Sequence, residues 1–117
     1  MRIAISSTGT ELNDLVDPRF SKCRYYIIID TDARETKVVE NAAAYVCVLR
    51  DTTTGNLVAG QKTDVVLTGH IGRKAAAILL AAGVRIFTGA SGKISSAIEA
   101  FRAGKLEEMT APPATQS

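Results

Sequence analysis

The 117 residues are enough for one domain with one core and too few for two. A hydrophobic share of 46% is ordinary for a soluble protein, while only 5% aromatic residues and no Trp leave the core to Val, Ile, Leu and Ala. The net charge of +2 is too small to imply nucleic-acid binding, no apolar run approaches the roughly 20 residues of a membrane span, and no signal-like segment precedes the first strand, so a cytoplasmic protein is expected.

Residues 2–6 form a short β-rich run, the first strand, ended by Ser7-Thr-Gly-Thr10. Residues 7–22 then make a long polar loop containing Asp17-Pro-Arg-Phe20, and a loop of this length in so small a domain suggests function. Residues 24–30 and 35–40 have high β propensity and are joined by a short turn, which predicts an antiparallel hairpin. Residues 41–50 read as loop. Residues 50–61 read as a weak helix with Leu49, Thr53 and Leu57 on one face, because the run Thr52 to Thr54 forms helix poorly. Residues 64–68 are apolar enough for a strand buried on both faces. Residues 72–82 follow as a strong helix with Ile71, Ala75, Ile78, Leu79 and Ala82 as its apolar stripe and Gly83 as its stop. Residues 84–87 are the fifth strand, Thr88-Gly-Ala-Ser-Gly-Lys93 a Gly-rich turn, and 94–103 a third helix with Ile94, Ala97, Ile98 and Phe101 on one face. One domain over 1–106 is expected, with 107–117 as a flexible C-terminal tail.

The order βββαβαβα, with a hairpin followed by right-handed crossovers, sets the first, third, fourth and fifth strands parallel. Their carboxyl ends, where open sheets of this type bind ligands, then gather the loops 7–22, 41–50, 69–72 and 88–93. Those loops carry Arg19, Lys22, Cys23, Cys47, His70, Arg73 and Lys93: a basic rim with two thiols and one imidazole, beside two helix N-termini. Unpaired N–H groups and the helix dipole make such ends anion acceptors, and Gly69, Gly72, Gly89 and Gly92 let the backbone come close. Cations in a first helical turn oppose the dipole, so a bound anion would relieve Arg73 and Lys74. Each piece also has a plainer reading. A His between glycines suits a turn, and a free Cys packs as a small hydrophobe. Without a Cys-x-x-Cys spacing the thiols are expected to be free, with no structural zinc site. The 88–93 turn fails the phosphate-loop pattern, since Phe87 stands where its first Gly belongs and Ile94 where its hydroxyl belongs.

The first strand, Asp17-Pro-Arg-Phe20, Asn41-Ala-Ala, Asp64-Val-Val, Gly69-His-Ile-Gly72 and the Ala-Ala-Gly-Val-Arg-Ile-Phe-Thr-Gly run ending at Gly89 together resemble the dinitrogenase iron–molybdenum cofactor-binding family. The resemblance covers residues 1 to about 108. It implies a ribonuclease H-like α/β fold: a five-stranded mixed sheet of order 3-2-1-4-5, strand 2 antiparallel, with helices on both faces. It also implies the carriage or storage of metal–sulfur clusters. A small stand-alone branch, similar to this chain in length and single-domain form, holds a molybdenum–copper sulfide cluster non-covalently. The family's Gly-rich stretch after the third strand is replaced here by Ala44-Tyr-Val-Cys-Val-Leu-Arg50. Nuclease chemistry, which needs converging carboxylates, is not expected where Ser6, Ser7 and Thr68 end the central strands.

The resulting expectation is a non-enzymatic, monomeric carrier or scaffold for an anionic metal–sulfide cluster. That cluster is molybdenum–copper, or alternatively an iron–molybdenum–sulfur precursor. Arg19, Lys22, Cys23, Gly69, His70, Gly72, Arg73, Gly89, Gly92 and Lys93 form its site. Either Cys23 or His70 ligates a metal directly, which suits copper or iron, or no side chain does. An ATPase or cluster-assembly protein is the expected partner. The rival readings are an enzyme for a small phosphate ligand with His70 as general base, and a metal-free interaction module at the same edge.

Overall fold

A computed structural model describes residues 1–41 and 50–112. The strands are β1 (Arg2–Ser7), β2 (Tyr25–Asp30), β3 (Glu35–Glu40), β4 (Val65–Leu67), β5 (Arg85–Thr88) and β6 (Glu107–Met109). The helices are α1 (Arg50–Gly60), α2 (Arg73–Ala81) and α3 (Ile94–Arg102). The strands make one mixed sheet of order β3-β2-β1-β4-β5-β6. β1 pairs antiparallel with β2, from Arg2 opposite Asp30 to Ser7 opposite Tyr25, and parallel with β4, with Ala4 beside Val66. β4 and β5 are parallel, and β2 and β3 form the expected hairpin.

The sheet has six strands rather than five. Residues 107–109, read from the sequence as the start of a flexible tail, pair antiparallel with β5, Phe87 lying opposite Glu108. The Arg85 guanidinium donates to Glu108 at 2.8 and 3.0 Å and holds its carboxyl below the usual range. Residues 42–49, which include Cys47, and 113–117 lie outside the described residues.

Alternation along the strands builds two cores, one on each face. Ala4, Tyr26, Ile28, Val66 and Ile86 face α1 and α2 and pack with Val58, Ala75, Ala76 and Leu79. Ile3, Ile5, Ile27, Val65, Leu67 and Phe87 face the other way, onto Ile94 and Ala97 of α3. A fully buried aliphatic side chain such as Leu79 contributes about 1.5–3 kcal/mol by leaving water. α3 buries Ile94 and Ala97 of the stripe its periodicity predicts and packs the partly buried Ile98 and Phe101 beside them. α1 buries Thr54, Gly55 and Val58, with Leu57 partly buried beside them and Thr53 exposed, because α2 comes in along Gly55: a Cβ there would stand 3.2 Å from Ala75 Cα. α2 likewise buries Ala76 and leaves Ala82, just past its end, exposed.

Candidate functional site

Among the described residues, the carboxyl ends of β1, β4 and β5 open into the segments 8–24, 68–72 and 89–93. The first of these is laid down as irregular ladder rather than left loose. Its backbone bridges Val16 to Ser7, Leu15 to Lys93, and Arg19 to His70. The Asp17 N–H donates to the Ser6 carbonyl at 2.9 Å, and the Ser6 hydroxyl donates to the Asp17 carbonyl at 2.7 Å. Ser6 Oγ also lies 2.8 Å from Thr68 Oγ1. The central strands thus end on two buried hydroxyls instead of carboxylates, Ser6 bonding the incoming loop and Thr68 bonding Ser6.

Pro18 then sits directly on Gly69. A Cβ at Gly69 would lie 2.6 Å from Pro18 Cα, so only glycine fits. The His70 N–H donates to the Pro18 carbonyl at 2.8 Å, and the Phe20 N–H to the His70 carbonyl at 3.3 Å. The Asp-Pro-Arg-Phe loop and the Gly-His-Ile-Gly turn are thus two walls of one cleft. Between them lies a cavity of about 170 Å³ lined by Arg19, Phe20, Ser21, Lys22, His70 and Gly72. One water takes roughly 30 Å³, so a compact polyatomic group fits.

The cleft is polar and basic. Lys22, His70, Arg73 and Lys74 are exposed. α2 starts at the cleft with Gly72 as N-cap, no side-chain cap and no acidic residue in its first turn. The N–H groups of Gly72, Arg73 and Lys74 have no hydrogen-bond partner among the described residues. Orphan donors, the positive end of the dipole and two cations therefore coincide. Arg19 is the exception among the cations. Its Nε and Nη2 donate to the two carboxylate oxygens of Asp17 at 3.2 and 3.4 Å, and its own N–H donates to Asp17 Oδ1 at 3.0 Å. Those hydrogen bonds, with the negative charge of Asp17, raise the Arg19 guanidinium above its ordinary range.

Cys23 is in the core and not in the cleft. It has no exposed surface and packs in the cluster of Phe20, Tyr26 and Ile71. Its Sγ–H donates to the Phe20 carbonyl at 3.3 Å, and burial pushes the thiol up to about 12. Asn41 closes the underside of the loop. Its Nδ2 donates to the Ser21 and Cys23 carbonyls at 3.1 and 2.9 Å, while its Oδ1 is buried without a partner among the described residues.

The family model described as dinitrogenase iron-molybdenum cofactor matches residues 1–104. This chain belongs to that family. Its fold matches the apo form of the orange protein from Desulfovibrio gigas at a TM-score of 0.89 and 28% identity, covering 96% of this chain and 95% of that one. It also matches a putative NifB protein from Thermotoga, at 0.80 and 33% over 96% of both chains. An uncharacterized protein of Methanocaldococcus jannaschii is 26% identical over 99 residues, 82% of this chain and 84% of its own length.

In this family member the second Gly-rich turn has a different fate from the first. The Ile94 N–H donates to the Asp14 carbonyl at 2.9 Å and the Ser95 N–H to the Leu12 carbonyl at 3.2 Å. The Gly92 carbonyl accepts from Val16. The start of α3 is thereby occupied by the loop. Gly92 and Lys93 hold that loop, Gly89 donates its N–H to the Gly69 carbonyl at 3.0 Å, and none of the three lines the cavity. No group of three His, Cys, Asp or Glu side chains able to hold a metal ion occurs among the described residues. No helix among them is long and apolar enough to cross a membrane.

Sequence reasoning overlooked Ser6, Asp17, Ser21 and Thr68. Asp17 alone carried a local signal: an Asp two residues before Arg19, with Pro18 between them, is an Asx-turn composition.

Proposed function

We propose that this chain is a non-enzymatic carrier or assembly scaffold for an anionic metal–sulfide cluster, held in the cleft between the Asp17-Pro18-Arg19-Phe20 loop and the start of α2. Molybdenum–copper is the favoured composition, and an iron–molybdenum–sulfur precursor is the alternative. One observation carries the reading: three N–H groups without a partner among the described residues open α2 beside a cavity lined by Arg19, Lys22 and His70. An anionic sulfide accepts such hydrogen bonds without being covalently attached. Membership of the family and the likeness to the orange protein support the class of cargo.

Cys23 is left out of the coordination because its thiol is buried and protonated at neutral pH. His70 remains the one side chain on the cavity wall suited to copper. Backbone N–H groups with Lys22 and Arg73 do most of the holding. The architecture is read as ribonuclease H-like, without the converging acids of a nuclease. The cleft is open to solvent, which suits hand-over of the cargo to a cluster-assembly protein or its ATPase by a cytoplasmic monomer.

Anaerobic purification followed by absorption spectroscopy and metal analysis, repeated after adding tetrathiomolybdate and copper, tests this. Bound molybdenum and a visible charge-transfer band are expected, retained in Cys23→Ser. A colourless, metal-free protein under both conditions contradicts it. Turnover of a phosphorylated substrate that His70→Ala abolishes would establish the enzyme reading instead.

A further inference from the structure

Arg19 lines the cavity, yet it does not stand there as a free positive charge. Asp17, with a side chain only 8% exposed, grips it through both carboxylate oxygens, while Arg19 itself is 57% exposed. Asp17 also accepts the Arg19 backbone N–H, so the carboxylate fixes both ends of the same residue. The Asp17 backbone is locked in turn by the Ser6 hydroxyl, which bonds Thr68 at the end of β4. A guanidinium has five N–H donors in a rigid planar fork, and the Asp17 contacts use its Nε edge, leaving Nη1 without a hydrogen-bond partner among the described residues. Charge and direction are thereby separated. The pair is close to neutral, and the net positive charge of the cleft falls to Lys22 and Arg73.

We propose that Asp17 is the positioning and specificity residue of the cleft: it cancels the charge of Arg19 and aims its free N–H groups, so that the site chooses an anion by hydrogen-bond geometry rather than by charge alone. This rests on the anion-binding reading above. The ligand class it selects is a compact, multiply accepting anion such as a tetrahedral thiometallate. A spherical halide, which offers a single acceptor atom to donors spread around the cleft, competes poorly.

The test is a tetrathiomolybdate titration from about 0.05 to about 0.5 M NaCl, a range over which screening of free charges grows strongly. The proteins are wild type, Arg19→Lys, Arg19→Gln, Asp17→Asn, Lys22→Gln and the double variant Asp17→Asn/Arg19→Gln. The NMR signal of the Arg19 Nε–H is followed in parallel. Arg19→Lys, which keeps the charge, should bind about tenfold more weakly, roughly the worth of one charge-assisted hydrogen bond, with the salt dependence of wild type, while Arg19→Gln, which leaves the Asp17 carboxylate uncompensated, should lose that much at high salt and more at low salt. Lys22→Gln should flatten the salt dependence. Asp17→Asn should bind about tenfold more weakly at high salt, recover at low salt through the unmasked charge, and lose the ordered Nε–H signal. The double variant leaves neither charge buried alone. In it, at high salt, Asp17→Asn should add nothing to Arg19→Gln, the mark of residues acting as one unit.

Wild-type affinity in Arg19→Lys, or Asp17→Asn binding as tightly as wild type at high salt, would overturn the assignment while leaving the carrier reading intact. No binding by wild type at any salt, or binding that leaves Arg19, Lys22 and His70 signals unmoved, would overturn both.

Discussion

Two turns in this chain look alike on paper. Gly69-His-Ile-Gly72 leads from β4 into α2, and Gly89-Ala-Ser-Gly92 leads from β5 into α3. Each is a strand-to-helix connection with two glycines and a cation at the helix start. The structure separates them by what their N–H groups meet. At α3 the first helical donors are taken by the Asp14 and Leu12 carbonyls, so that turn anchors the 8–24 segment. At α2 the donors have no partner among the described residues, and Gly72, the first of them, lines the cavity. A glycine-rich turn before a helix is therefore only half of an anion site. The other half is that the donors stay unclaimed, as those of α2 do among the described residues.

The turns also stand over different cores. Ile71 packs in the cluster that holds Cys23, whereas Ala90 and Ile94 pack on the opposite face. Burial raises the Cys23 thiol from 9.0 to about 12. The unfolded chain therefore loses that proton first as pH rises. The thiol's contribution to stability is intact below about pH 9 and is lost as pH climbs toward 12, at up to about 1.4 kcal/mol per pH unit. Denaturant melts of wild type and Cys23→Ser across this window should diverge with that sign. Parallel curves would put the thiol in contact with solvent and reopen it as a ligand.

Glycine substitutions make the sharpest contrast between the turns. Gly69→Ala drives a Cβ into the Pro18 backbone. It should destabilise by about 1–3 kcal/mol and abolish thiomolybdate binding, because the two walls part. Gly89→Ala meets no neighbour and strains only a φ of +84°, so it should lose about 1–2 kcal/mol and keep its binding. Thermal melts paired with titrations check both. Equal binding losses would mean that the turns share the ligand after all.

Charge removal should follow the same division. Lys22→Gln is expected to weaken binding several-fold and Lys93→Gln to leave it unchanged, as measured by titration at low salt. The smallest effect belongs to the latch behind the cleft. Ser6→Ala removes the bond to the Asp17 carbonyl and should reduce stability by about 1 kcal/mol, with a modest loss of affinity as the loop loosens.

Much of this was legible in the sequence, and the exceptions share a cause. The hairpin, the buried β4, the stop at Gly83 and the burying face of α3 follow from local periodicity and propensity. β6 does not, because Glu107-Glu-Met109 has neither length nor apolar alternation; its identity comes from the free edge of β5 and from Arg85. The meeting of Arg19, Lys22, His70 and Gly72 followed from the strand directions. The consumption of the α3 donors did not, since it depends on how residues 12–16 cross the sheet end. Cys23 was placed on the rim by its position in the loop. Tyr26 and Phe20 draw it inward, the Tyr26 hydroxyl donating to the same Phe20 carbonyl that the thiol uses, at 2.6 Å.

The central claim is that an anion sits on the free N–H groups at the start of α2. A ¹H–¹⁵N NMR titration with tetrathiomolybdate under anaerobic conditions reads it residue by residue. The largest shifts are expected at the backbone N–H groups of Gly72, Arg73 and Lys74, with Ile94 and Ser95 unmoved. Shifts centred on Gly92 to Ser95, or none at either turn, would contradict it.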